Sequence, residues 1–142
     1  VACYAKTEPD YVQGDIRDWG CNWRGTTWIP INYMIMHGLL DYGYADVARK
    51  LARKTVDLVY KRNEVTREFY DGESGEGLGL KRFWGWSVLA YVMPFECETG
   101  YDPSKLDGSA VRPLGRELFG LDFPASDDPR PISTHLSQDG LQ

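Results

Sequence analysis

The sequence predicts an all-α fold of alternating inner and outer helices, and three observations carry that prediction. The run WIPINYMIMHGLLDY, residues 28–42, has no polar face. The next stretch, residues 46–61, repeats its apolar side chains at i, i+3, i+4, i+7 with charges opposite, as a half-solvated helix does. A third run, FWGWSVLAYVM at residues 83–93, is again apolar on almost every side. Two helices that are apolar all round need neighbours on several sides, and the chain supplies one clear amphipathic cover. A repeat of helical hairpins closing into a barrel meets that need, as does an oligomer.

Each element follows from local signals. Residues 1–25 mix Pro9, Gly14, Gly20 and Gly25 with scattered aromatics and show no period, which reads as an irregular entry loop. Thr27 is placed to cap the first helix, and Pro30 falls within its first turn, where proline is tolerated. This helix is expected to be buried nearly all round. Gly43 offers its end, and Asp46 opens the second helix, with Ala48, Leu51, Ala52, Thr55, Leu58 and Val59 on one face. Arg49, Lys50, Arg53, Lys54, Asp57 and Lys61 fill the other. Residues 63–82 carry four glycines and five acids, so they read as a long loop with a short possible strand at 65–70. Pro94 marks the expected end of the third helix. Beyond Glu98 the composition shifts, with five of the eight prolines after residue 100, and residues 99–142 read as an extended Pro/Gly-rich tail.

Composition narrows the function classes. The 142 residues are 42% hydrophobic and 26% charged, a globular balance, with 13% aromatic residues including five Trp. A net charge of −5 lacks the basic footprint of a nucleic-acid binder. Cys3, Cys21 and Cys97 show no CxxC or Cys/His spacing, so they define neither a disulfide framework nor a zinc site. The longest apolar stretch is interrupted by Pro30, Asn32 and His37 and falls short of the roughly 20 residues of a bilayer span. The chain opens on Val with no signal-like segment, so it is expected to be processed or a fragment.

Two groups of residues have chemistry to offer. Trp23, Arg24, Gly25, Trp28 and Asn32 gather flat rings and hydrogen-bonding groups where a loop enters a buried helix. Sugars bind such mixtures, CH faces on indoles and hydroxyls on guanidinium or amide groups. The residues alone favour the plainer reading, with the tryptophans as core, Arg24 paired with an acid, and Asn32 a satisfied buried amide. In the second group, Glu68 is framed by Phe69 and Tyr70, a setting that partly desolvates a carboxylate and suits acid or base work. On spacing alone, a lone loop acid is more often a solvated surface group. Other motifs fail: Gly75, Gly77 and Gly79 are flanked by acids with no GK[ST] after them, DGESGEGLG lacks the EF-hand acid spacing, and Ser87 lacks the GxSxG elbow.

As a set, CNWRGTTWIPINYMIMHGL, DYGYADVARKLARKTVDLV, REFYDGESGEGLG and FWGWSVLAYVM resemble the C-terminal part of glycoside hydrolase family 63 over about residues 19–95. The resemblance implies that residues 1–98 are the C-terminal part of an (α/α)6 barrel catalytic domain, with the remainder upstream. It implies an inverting α-glycosidase, of α-glucosidase or α-mannosidase type, acting on a short oligosaccharide or glycosyl-glycerate, with no metal or organic cofactor. Glu68 matches the acid of the family's E-x-Y motif, the general base that activates water. Trp23, Arg24 and Gly25 match the W-R-G motif of the sugar subsite, with Trp28 and Asn32 behind them and Tyr70 beside the base. The family's general acid, an aspartate from earlier in the barrel, has no counterpart here. The chain departs from the family pattern around the W-R-G motif, with Asn22 before it and Thr26 and Thr27 after it. The alternative reading is a non-catalytic carbohydrate-binding helical module.

Overall fold

The structure, a computed structural model, describes residues 2–14, 23–61, 63, 65–82, 85–100 and 111–120. Cys21 and Asn22 lie outside these residues. Four helices and a small antiparallel sheet make up the described chain: β1 (Thr26–Thr27), α1 (Ile29–Asp41), α2 (Ala45–Val56), β2 (Arg67–Asp71), β3 (Gly77–Arg82), α3 (Leu89–Thr99) and α4 (Val111–Phe119). A π-helical turn, Asp57–Lys61, extends α2, and a 3-10 turn, Gly85–Val88, leads into α3.

The first helix starts one residue later than expected, because Thr27 is taken up by β1 and pairs with Tyr70. Trp28 stands at the helix entrance in extended conformation, and its carbonyl accepts the N–H groups of Ile31 and Asn32. Pro30 occupies the first turn. At the far end Gly43 turns the chain with φ +81°, while the N–H groups of Gly43 and Tyr44 satisfy the carbonyls of Leu40 and Leu39. On α2, Asp46 in the first turn and Arg53 and Lys54 in the last complement the helix dipole.

The three long helices share one core. Met36 of α1, Ala48 and Ala52 of α2, and Met93 and Cys97 of α3 meet in it, with Tyr33, Leu39, Leu40 and Leu51 at its margin. A second cluster joins Ile29, Val59, Tyr70 and Ala90, and so ties β2 to the start of α1 and α3. Asn32 bridges α1 to α2 through Nδ2, which donates to Thr55 Oγ1 at 3.1 Å. Contrary to the expectation of all-round burial, α1 leaves Met34 and Ile35 exposed, and the third helical segment leaves Val88 and Val92 exposed. Among the described residues, α2 and α3 cover one side of α1 and nothing covers these side chains.

Three other expectations change. The expected loop at 63–82 is a β-hairpin: β2 pairs antiparallel with β3, with Phe69 opposite Leu78 and Tyr70 opposite Gly77. The third helix does not stop at Pro94. It runs to Thr99 with Met93, Pro94 and Cys97 buried, so packing holds a helix through a residue that cannot donate. Within the expected irregular tail, residues 111–119 form α4. That helix buries Leu114 and Leu118, one turn apart, and sets Phe119 among Tyr60, Tyr91 and Phe95. The rest of the tail beyond Gly120 lies outside the described residues. Among the described residues, no helix is long and apolar enough to cross a membrane.

Candidate active site

The W-R-G loop is held in place by backbone contact. Val12 N–H donates to the Arg24 carbonyl at 2.7 Å, and Cys3 N–H donates to the Thr26 carbonyl at 3.0 Å. Gly25 has φ +117°, and a Cβ there would collide with the Val12 carbonyl; a Cβ at Gly72 would collide with the Gly25 carbonyl. Three chain segments therefore stack at a spacing only glycine permits.

That loop delivers Trp23 onto Trp28. The two rings are parallel within 6° at 4.1 Å, and Trp28 in turn packs on Phe69 at 5.0 Å and on Trp86 at 5.7 Å. Trp28 is 5% exposed and its Nε1 donates to Thr26 Oγ1, so it is the buried centre of the cluster. Trp23 and Trp86 are 45% and 42% exposed, and they present the open indole faces. An apolar face beside hydrogen-bonding groups is what the CH face of a sugar ring requires.

Glu68 joins this cluster through its backbone. Trp86 Nε1 donates to the Glu68 carbonyl at 3.1 Å, and the next residue is Phe69 of the aromatic stack. The hairpin is irregular at this point: Arg67 pairs with Arg82 and Phe69 with Leu78, so one residue of β2 faces three of β3. Gly79, one of those three, has φ +96°, and a Cβ on it would stand 2.5 Å from Glu68 Cβ and 2.6 Å from Oε2. Bulges of this kind redirect side chains at functional sites.

The backbone before Glu68 is held by two side chains. Arg67 N–H donates to Tyr70 Oη at 3.0 Å, and Ser87 Oγ donates to the Arg67 carbonyl. Both side chains are fully buried. Burial raises the Tyr70 phenol above its usual pKa, against the opposing pull of the Arg67 N–H and the Ser87 hydroxyl.

At the hairpin tip, Asp71 organises the turn. Its Oδ1 accepts the N–H groups of Glu73 and Ser74 at 2.9 and 2.6 Å and the amide of Gln13 at 3.4 Å. Burial alone would raise this carboxyl, but the Ser74 and Glu73 N–H groups, with the Ser74 hydroxyl and Gln13, outweigh burial and hold it below the usual carboxylate value. Asn63 ties the hairpin to the π-helical turn: its Nδ2 donates to the carbonyls of Leu58 and Gly75, and its Oδ1 accepts Gly77 N–H.

The structure thus gathers Trp23, Gly25, Trp28 and Glu68 around one aromatic cluster. Arg24 Nη1 stands 4.0 Å from Asp10 Oδ1 beside it. Asn32 and Tyr70 lie in the core, 2% and 0% exposed. A separate cavity of about 640 Å³ is lined by Thr27, Asn32, Lys54, Thr55, Asp71 and Glu73 among others, and neither Glu68 nor the tryptophans border it. Sequence reasoning gives no site role to Trp86, Ser87, Gly79 or Asn63, and considers Gly79 and Ser87 only for motifs they do not complete. The signal for Gly79 was present in Gly75, Gly77 and Gly79 at every second position, which in a strand marks close approach by another group. Among the described residues, no group of three or more His, Cys, Asp or Glu side chains is arranged to hold a metal ion.

Comparison with known proteins places this chain among the glycoside hydrolases. The mannosylglycerate hydrolase MGH1-like glycoside hydrolase domain matches residues 1–87. The chain belongs to that family, within glycoside hydrolase family 63. It is 41% identical over 69 residues to mannosylglycerate hydrolase of Thermus thermophilus, a match covering 49% of this chain and 16% of that protein. It is 29% identical over 105 residues to mannosyl-oligosaccharide glucosidase of Arabidopsis thaliana, covering 65% of this chain and 12% of that one. The crystal structure of a family 63 mannosylglycerate hydrolase from Thermus thermophilus in complex with glucose is similar with a TM-score of 0.50 and 34% identity, over 63% of this chain and 20% of that one. The chain therefore spans about a fifth or less of the length of these relatives.

Proposed function

We propose that this chain contributes the general base and part of the sugar-binding surface of an inverting α-glycosidase acting on a short α-glucoside or α-mannoside, glycosyl-glycerates included. The carrying observation is the setting of Glu68: its carboxylate lies over a glycine that leaves room for nothing else, and its backbone is bonded to the half-exposed Trp86 at the edge of the Trp23–Trp28 stack. The relative at 41% identity is named a mannosylglycerate hydrolase, which supports the glycosyl-glycerate class.

In this reading Glu68 accepts a proton from water as that water attacks the anomeric carbon from the face opposite the leaving group. A second carboxyl, about 6.5–9.5 Å away, protonates the departing oxygen. That acid comes from residues outside this chain, in keeping with the small share of its relatives that the chain covers. Trp23 and Trp86 hold the sugar ring by its apolar face, and Arg24 binds a hydroxyl or a carboxylate. The larger frame is an (α/α)6 barrel, with α1 and α3 as inner helices and α2 as an outer one. Exposed Met34, Ile35 and Val92 support it, since inner helices need further inner neighbours.

The test uses the natural gene product that contains these residues. Proton NMR of the first turnovers on mannosylglycerate should show the β-anomer, and Glu68→Gln should lower kcat by at least about a thousandfold while mannosylglycerate binding stays within a few-fold. Retained α-configuration refutes inversion. Turnover unaffected by Glu68→Gln refutes the role of Glu68 and leaves a sugar-binding module.

A further inference from the structure

We infer that Ser87, Tyr70 and Trp86 are positioning residues for Glu68: side chains from the 3-10 turn clamp both peptide groups that flank it, replacing the strand ladder where β3 bulges away. This inference rests on the reading of Glu68 as the general base. Three residues of β3 oppose one of β2 between the Arg67 and Phe69 pairs, so regular cross-strand bonding is interrupted at Glu68. Where the ladder is interrupted, partners for these backbone groups come from elsewhere. The peptide before Glu68 offers the Arg67 carbonyl, which accepts from Ser87 Oγ. The peptide after it offers the Glu68 carbonyl, which accepts from Trp86 Nε1.

With both flanking peptide planes fixed, the backbone rotations on either side of the Glu68 Cα are fixed as well. The direction of its side chain is then set by residues 86 and 87, which are adjacent on one rigid turn. Tyr70 adds a third hold one peptide earlier, its Oη accepting Arg67 N–H at 3.0 Å. Neither Ser87 nor Tyr70 has any exposed surface, so neither touches a ligand, and each acts on the base through the backbone. Trp86 has both a ring open to ligand and an N–H committed to Glu68, and Trp86→Phe keeps the ring while deleting the donor.

Kinetics on mannosylglycerate with the natural gene product tests this, using Tyr70→Phe, Ser87→Ala and Trp86→Phe, each alone and combined with Glu68→Gln. A catalytic group displaced by about 1 Å costs on the order of a hundredfold. Each single variant should therefore lose about ten- to a hundredfold in kcat, with KM within about twofold for Tyr70→Phe and Ser87→Ala, and should shift the kcat–pH profile. In the Glu68→Gln background, the same changes should add little or nothing, since they act through a carboxylate already gone. For Tyr70→Phe or Ser87→Ala, a raised KM with kcat retained would show direct sugar contact and overturn the inference. Penalties that multiply in the double variants, or single variants with unchanged kcat, overturn it too. If Glu68→Gln alone keeps full turnover, the base reading fails and the inference falls with it, a result distinct from failure of the clamp. Should one variant not fold, the other two carry the test, since each removes a different bond.

Discussion

Gly79→Ala is the sharpest perturbation available at the base. The added methyl would stand 2.6 Å from Glu68 Oε2 and 2.5 Å from its Cβ, where ordinary contact begins at 3.4 Å. The carboxylate must therefore retreat by roughly 0.8 Å or the strand must part, at a position where a non-glycine residue at φ +96° already carries about 1–3 kcal/mol of backbone strain. A shift of that size at a reacting group corresponds to a loss on the order of a hundredfold in kcat. The assay is steady-state hydrolysis of mannosylglycerate by the natural gene product, alongside thermal unfolding of the same samples. The expected result is kcat down about a hundredfold, KM little changed, and stability down by about 1–3 kcal/mol. Stability lost with kcat intact would refute the reasoning, because it would mean the carboxylate's position is irrelevant to turnover.

Three further outcomes are expected. Trp23→Ala removes the ring stacked at 4.1 Å on Trp28 and one open face of the cluster, so KM for mannosylglycerate should rise about tenfold with a small change in kcat; an unchanged KM would place the sugar elsewhere. Asn32→Ala breaks the buried bond to Thr55 and should cost about 1–3 kcal/mol in chemical denaturation with KM unchanged, whereas a KM shift without destabilisation would make Asn32 a ligand. Asp71 has a folded-state pKa below its usual 3.8, so the stability it confers is present above that value and is lost as pH falls through it. Asp71→Asn should therefore be about 1–2 kcal/mol less stable than the natural sequence at neutral pH, with the gap closing below pH 3.8, as followed by denaturant melts across pH.

Legibility of the fold tracked how much each element depends on its own sequence. The amphipathic period of α2 is local, and so are Pro30 in the first turn of α1 and Gly43 at its end; these were read directly and the structure has them. The hairpin was read as a loop because β3 is GLGLKR, whose glycines weaken any strand signal; partners in space, Asn63 and Glu68, are what require them. Pro94 reads locally as a stop, yet burial of Met93 and Cys97 against α1 and α2 carries α3 past it. Helix α4 was missed because nine residues with Pro113 and Gly115 have little helical tendency, and its hold comes from Phe119 among distant aromatics and from the Arg53–Glu117 ion pair.

The site divides in the same way. Tryptophans and an acid between aromatics are visible as residue types, so Trp23, Trp28 and Glu68 were legible as candidates. Trp86 and Ser87 were not, because their relevance lies in which carbonyl each one bonds, and that follows only from the bulge that opens opposite Glu68. Tyr70 illustrates the converse: it sits two residues from Glu68 in sequence, while its side chain turns into the core and grips the backbone of Arg67.

The most direct test of Glu68 as the base is chemical rescue. In the natural gene product carrying Glu68→Ala, hydrolysis of mannosylglycerate should nearly cease, and added azide, a nucleophile that needs no deprotonation, should restore turnover and yield the β-mannosyl azide. No rescue by azide, or an α-azide product, would contradict the assignment of Glu68 to the face opposite the leaving group.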